Sequence, residues 1–209
     1  MMHGAAFGEK RSGDYGAVMN YARITPPAVK ENYVDIAGGD SAIDLTEAVG
    51  GVAFEDGQID FKFTLFDRRQ AERMKNDLHG RRLRIVLDRE PDFYYDGRVK
   101  CTKCGQEGTL HELLLEAKIR PYKQEKRATV QVEEASGTWK DVILINSRMP
   151  VMPRITVEGK AVLLYEGGRY SMESGVYQAP ELTLYEGRNH FRLQGSGTVK
   201  FEYRKGELA

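Results

Sequence analysis

Cys101-Thr102-Lys103-Cys104-Gly105 has the knuckle spacing of a zinc site, because two thiolates in a tight turn can grip one metal ion. A closed structural site needs four ligands. His79 and His111 are the only further donors nearby and there is no second cysteine pair, so Cys101 and Cys104 are read as ordinary thiols and no metal is expected. His111 shares the alternation of Leu113 and Leu115 and is expected inside the core, held by a hydrogen bond. Histidines at positions 3, 79, 111 and 190 could supply a base for a nucleophile, but there is no Gly-x-Ser-x-Gly elbow, and Gly195-Ser196-Gly197 lacks its spacing. Gly4 and Gly8 before Lys10 do not form a phosphate loop, since the spacing is wrong and no strand precedes them. The adjacent acids Glu133-Glu134 and Glu55-Asp56 resemble a glycosidase pair only superficially; in a chain that is 30% charged they read as solvated faces. Neither catalytic residues nor a cofactor is expected.

The elements that would position these residues are mostly strands. Asp67 is suited to cap a helix near 68–79, with Gln70 three residues on completing a capping-box pattern. Ala71, Met74 and Leu78 fall on one face, and Gly80 supplies the stop. Around it the period is two. Ile59, Phe61, Phe63 and Leu65 alternate with polar residues, as do Leu83, Ile85 and Leu87 and, further on, Leu113, Leu115, Ala117 and Ile119. A hairpin is expected around Pro91-Asp92, with Asp96-Gly97 as a second turn or a bulge. Near the end, Phe191 and Leu193 precede an expected turn at Gly195-Ser196-Gly197, after which Val199, Phe201 and Tyr203 alternate again. Leu164-Tyr165-Glu166-Gly167 recurs as Leu184-Tyr185-Glu186-Gly187, which suggests two strands each closed by a glycine turn, the second at Gly187.

With 209 residues and 41% apolar composition, the chain can build a sizeable core. Basic and acidic residues balance at 31 each, so no excess positive field points to nucleic acid. No segment approaches the roughly 20 apolar residues of a membrane helix, no secretory leader is evident, and two cysteines cannot staple a chain of this size; a soluble protein made in the cytoplasm is expected. A boundary is placed in the charged and loop-like stretch after Pro121, giving a first β domain over 1–127 and a β-sandwich over 128–209. Glycine-marked loops at Gly38-Gly39-Asp40 and Gly50-Gly51, and the tyrosines including Tyr94 and Tyr95, are the candidate contact surface, although turns and strand packing account for most such residues.

Several runs resemble the distal tail proteins of long-tailed bacteriophages and prophages. They are Ile24-Thr25-Pro26-Pro27, then Val34 to Asp40, then Ile43-Asp44-Leu45-Thr46-Glu47 near the amino terminus. Leu78 to Arg82, the Asp88 to Tyr95 hairpin, Gly97-Arg98-Val99, Arg120 to Lys123, Glu186 to Asn189 and Val199 to Leu208 follow in the same order. Cys101 to Cys104 departs from the pattern, where plain strand residues are expected. The resemblance implies a mainly β adaptor: a homo-hexameric ring made by an amino-terminal sandwich or barrel-like domain with one helix, carrying a carboxy-terminal galectin-like jelly roll. It implies assembly in the bacterial cytoplasm and a place at the virion tail tip, with the tail tube, the tail-tip or baseplate proteins and receptor-binding proteins as partners. Carbohydrate binding by the second domain ranks next, with Trp139 as the sole tryptophan to serve as a platform.

Overall fold

The structure is a computed structural model that describes residues 4–48 and 50–209, with the backbone alone for Glu107. His3, one of the four histidines, lies outside the described residues. The chain is mainly β, and it divides into two units: residues 1–123 with 208–209, and residues 124–207. The first boundary thus follows Lys123 rather than residue 127, and the last two residues return to the first unit, where Ala209 donates its N–H to the Pro121 carbonyl (3.0 Å).

The first unit contains β1 (Ala5–Phe7), β2 (Lys10–Arg11), β3 (Val18–Thr25), β4 (Tyr33–Val34), β5 (Ile43–Asp44), β6 (Gly57–Leu65), α1 (Arg68–Leu78), β7 (Arg82–Leu87), β8 (Phe93–Glu107) and β9 (Leu110–Ile119). Its main sheet runs β2-β1-β7-β8-β9-β6-β3, with antiparallel pairing between neighbours. The period-two residues meet on its inner face: Ile59, Phe61, Phe63, Leu65, Ile85, Leu87, Val99, Leu113, Leu115, Ala117 and Ile119 are all buried. The Arg89 guanidinium, in the turn after β7, reaches the Ala22 carbonyl on β3 (3.2 Å).

Helix α1 closes the core with Ala71, Met74 and Leu78, the stripe that its 3.6-residue period demands. Asp67 accepts from the Arg69 N–H (2.8 Å), and Gly80 at φ 79 lets the chain leave. The reciprocal half of the capping box is not made: Gln70 Oε1 is buried without a hydrogen-bond partner. Two other expectations change. Asp96-Gly97 is neither a turn nor a bulge but regular strand, Gly97 pairing with Leu83 on one side and Ile119 on the other, and the register shift lies at Cys101 to Lys103 instead. A Cβ on Gly97 would come within 2.7 Å of Ile119 Cγ2 and of the Lys118 carbonyl, so the glycine serves close strand approach rather than a left-handed turn. His111 is only partly buried rather than enclosed in the core: it is the second residue of β9 and lines an open recess with Arg68, Ala71 and Glu72 of α1.

The second unit is built from β11 (Thr129–Ala135), β12 (Lys140–Asn146), β13 (Arg154–Tyr165), β14 (Gly168–Tyr177) and β15 (Gly187–Tyr203); β10 (Tyr122–Glu125) and β16 (Gly206–Leu208) contain the points at which the chain passes between units. Strand β15 is central. β13 runs along one side of it throughout, while β12 and β11 share the other side, β12 against residues 187–193 and β11 against residues 197–203. Phe191 and Phe201 are ten residues apart in this strand and would lie roughly 34 Å apart in a straight one. Their rings are 5.7 Å apart. The strand is therefore doubled over at Gly195-Ser196-Gly197, and its halves line two layers of one sandwich. The expected turn there is a corner: the chain bends, but both halves stay paired with β13.

Of the two echoed segments, only Leu164-Tyr165-Glu166-Gly167 closes a hairpin, with Glu166 at φ 46 and Gly167 at φ 77. Leu184 makes an isolated bridge to Val151, and Gly187 opens β15 rather than closing a strand.

Candidate interaction surface

No cluster of three or more His, Cys, Asp or Glu side chains able to hold a metal ion occurs among the described residues. Cys101 and Cys104 are free thiols. His79, the nearest histidine, accepts the Cys101 N–H at Nδ1 (3.0 Å), which places a neutral ring's proton on Nε2 and suits the ring to structure rather than ligation. Burial pushes the Cys101 thiol up from its ordinary value. A concavity of about 440 Å³ in the first unit is lined by Arg82, Asp96, Arg98, Lys118 and Arg120 among others, and charges within it pair with one another: Arg82 forks onto Asp96 with two 2.8 Å hydrogen bonds, while Arg120 also approaches Asp96. No described helix is long and apolar enough to cross a membrane.

What stands out instead is an arm. Between β3 and β6 the chain leaves the body of the first unit as a ribbon: Val29 bridges Phe54, the Lys30 N–H reaches the Ala53 carbonyl (2.9 Å), and β4 pairs only with β5 among the described strands. Gly38, Gly39 and Asp40 lie at its tip, where Gly38 has φ 82 and the Gly39 N–H closes onto the Ile36 carbonyl. None of its described residues joins the buried core, and Tyr33 is 56% exposed, with Val29, Val34, Ile36, Ile43 and Leu45 also exposed. Six large apolar side chains left in water on one ribbon make it the candidate contact surface, since a lone ribbon of this size cannot bury them itself.

The arm is also acidic. Glu31, Asp35, Asp40, Asp44 and Glu47 face a single cation, Lys30, over residues 30–47. Hydrogen bonds from the Thr46 hydroxyl and N–H (the latter 2.9 Å) hold the Asp44 carboxyl below its usual range. The charges of Asp44 and then Glu31 push the Tyr33 phenol up.

Tyr94 and Tyr95, candidates for the same surface, are 7% and 1% exposed and are not available to a partner of the first unit as described. They point to opposite faces, as neighbours in a strand must. Tyr95 faces the core and donates to Glu90, while Tyr94 is covered by the Arg84 guanidinium, 4.8 Å from its ring. Alternation alone could not have shown that a long cation would roof the outward ring.

Sequence reasoning also missed two polar groups with structural roles, Asn189, which is buried, and Glu112, which is only partly so. Asn189 Oδ1 accepts from the Tyr165 hydroxyl and the Tyr185 N–H (both 2.9 Å), and its Nδ2 donates to the carbonyls of Tyr185, Gly187 and Leu144. Its burial beside Phe191 was legible in the alternation, but two of its four partner residues, Tyr165 and Leu144, come from distant segments. On the outer face of the first sheet, Glu112 lies between Lys62 (2.5 Å) and Lys103 (2.8 Å), which hold its carboxyl down at about 2, hydrogen bonds from Lys103 and then Lys62 being the main causes. A carboxyl lowered from 4.5 in the folded state favours folding above that value, and the contribution is lost as pH falls from 4.5 toward 2. Melting curves should therefore show Glu112→Gln below the parent at neutral pH, with the gap closing through that acid window.

The two units define a mainly β chain. No family model matches the sequence, and no curated protein matches it. Among solved structures it is similar to the SPP1 Dit protein (gp 19.1), described as a paradigm of the hub adsorption apparatus of phages that infect Gram-positive bacteria, with a TM-score of 0.73 and 14% identity over 98% of this chain and 99% of that one. The chain therefore has the fold of that protein from end to end.

Proposed function

We propose that this chain is a distal tail protein of a phage or prophage. In this reading it is a non-enzymatic virion component that forms a homo-hexameric ring at the tail tip, joins the tail tube to tail-tip or baseplate proteins and to those that bind the receptor, and is assembled in the cytoplasm of the bacterial host. The observation that carries the proposal is the extent of the fold likeness, which takes in both units rather than a common sandwich alone. The galectin-like character of the second unit belongs to the same proposal.

The acidic, apolar arm supplies the ring contact in this reading, with Gly38, Gly39 and Asp40 shaping its tip. Edge strands and exposed ribbons that would be hazards in a monomer are covered when identical copies close on one another. A sugar-binding role for the second unit is less well supported. The Trp139 ring, which would have to serve as the stacking platform, has the Arg192 guanidinium 5.4 Å from its centre, and the Asn189 amide is committed to the fold.

Native mass spectrometry and negative-stain electron microscopy of the full chain test the proposal: closed six-membered rings are expected, alone or with the tail-tube protein present. Replacing residues 30–53 with a two-residue turn should leave the melting of both units unchanged and abolish the rings, since the arm contributes nothing to either core. A chain that stays monomeric at every concentration and with tail-tube protein added would overturn it.

A further inference from the structure

A closed ring of identical copies needs two different patches on each copy, one to give and one to receive, because a self-complementary patch makes only pairs. Among the described residues of the first unit, the large apolar side chains left exposed are those of the arm and two others, Phe66 and Leu110. Phe66 is 70% exposed. Leu65 and His111 form the last pair of the β6–β9 ladder, so Phe66, just past β6, and Leu110, at the start of β9, flank the same end of the sheet. Leu110 also lines a recess of about 170 Å³ with Asn20, Lys62, Thr64, His111 and Glu112, room for one side chain.

Position and charge fit the role of receiver. The arm springs from the Gly57 end of β6 and Phe66 follows its other end, so the two patches lie roughly 30 Å apart along the sheet, at opposite ends of one body. Such a separation generates head-to-tail contacts, not a closed pair. Next to Phe66 are Arg68 and Arg69, both exposed, at the positive end of helix α1. The arm carries five acids against one cation.

We infer that the arm of one copy docks on the Phe66–Leu110 end of the next, its apolar side chains covering this pair and its carboxylates facing Arg68 and Arg69. The inference rests on the ring reading and adds the surface that receives the arm.

The test uses the full chain with photoreactive p-benzoylphenylalanine in place of Tyr33 or Ile43, mixed with a ¹⁵N-labelled copy lacking it. Crosslinks from the light arm to heavy peptides containing Phe66 to Arg69 or Leu110 are expected. Inter-copy crosslinks to other peptides would overturn the docking site while leaving the ring intact as a reading; absence of any inter-copy crosslink would overturn both. As a second measure, Phe66→Ser with Leu110→Ser should weaken association by about tenfold or more without lowering the melting temperature, because both side chains are already in water. Arg68→Glu should weaken it as well, although an acid at the first turn favours the helix itself. Variants that associate as tightly as the parent would sink the proposal.

Discussion

Gly197→Ala unfolds the second unit. Gly197 has φ 106, a conformation that side chains other than glycine's rarely adopt, and a Cβ there would fall 1.9 Å from the Glu158 carbonyl oxygen. The β13–β14 register shifts at Glu158 and Gly159, but relief there is opposed by the unbroken β13–β15 ladder, in which Glu158 lies opposite Thr198. Backbone strain of about 2 kcal/mol and overpacking of about 2 kcal/mol add to roughly 4 kcal/mol. For a unit of this size the loss corresponds to a fall in melting temperature of more than about 15 °C. Gly167→Ala is the control. Its φ of 77 carries a similar backbone cost, but nothing lies within 4 Å of the added methyl, so its effect should be about half as large or less. Equal melting temperatures for the two variants would show that β15 is not held against β13 at this corner.

Phe61→Ala is expected to do comparable damage to the first unit. The ring is 1% exposed, edge-on to Phe7 at 5.3 Å and stacked on Phe63 at 5.9 Å. Removing it leaves a cavity between β1 and β6 that a sheet paired on both sides cannot close, at a cost of about 3–5 kcal/mol. Phe66→Ala, five residues along the chain but in solvent, should change stability by no more than about 0.5 kcal/mol. Chemical denaturation with separate probes for the two units would show the Phe61 variant losing the first transition while the second is kept. A Phe61 variant as stable as the parent would mean that the two rings are not part of one packed core.

Phe61 and Gly197 mark the two ends of what could be read in advance. The burial of Ile59, Phe61, Phe63 and Leu65 follows from side chains alternating along a strand, and the helix from Asp67, its apolar stripe and Gly80; all of these are relations between residues a few positions apart. The Arg82 to Tyr95 hairpin was legible for the same reason. The arm was legible only as glycine-marked loops, since nothing in residues 28–54 states that the ribbon finds no sheet to join.

The sequence by itself determined which apolar residues of the strands face inward and where the α-helix begins and ends, because local sterics, capping and periodicity decide those matters within a few residues. Only the tertiary structure decided that β15 doubles over instead of turning, that Arg84 roofs Tyr94, that Asn189 meets Tyr165 and Leu144, and that six apolar side chains remain in water on the arm. Each of these depends on which distant segment arrives as a neighbour, and the free energy of a carbonyl, a guanidinium or an uncovered isoleucine is set by that neighbour and not by the residue's own place in the chain.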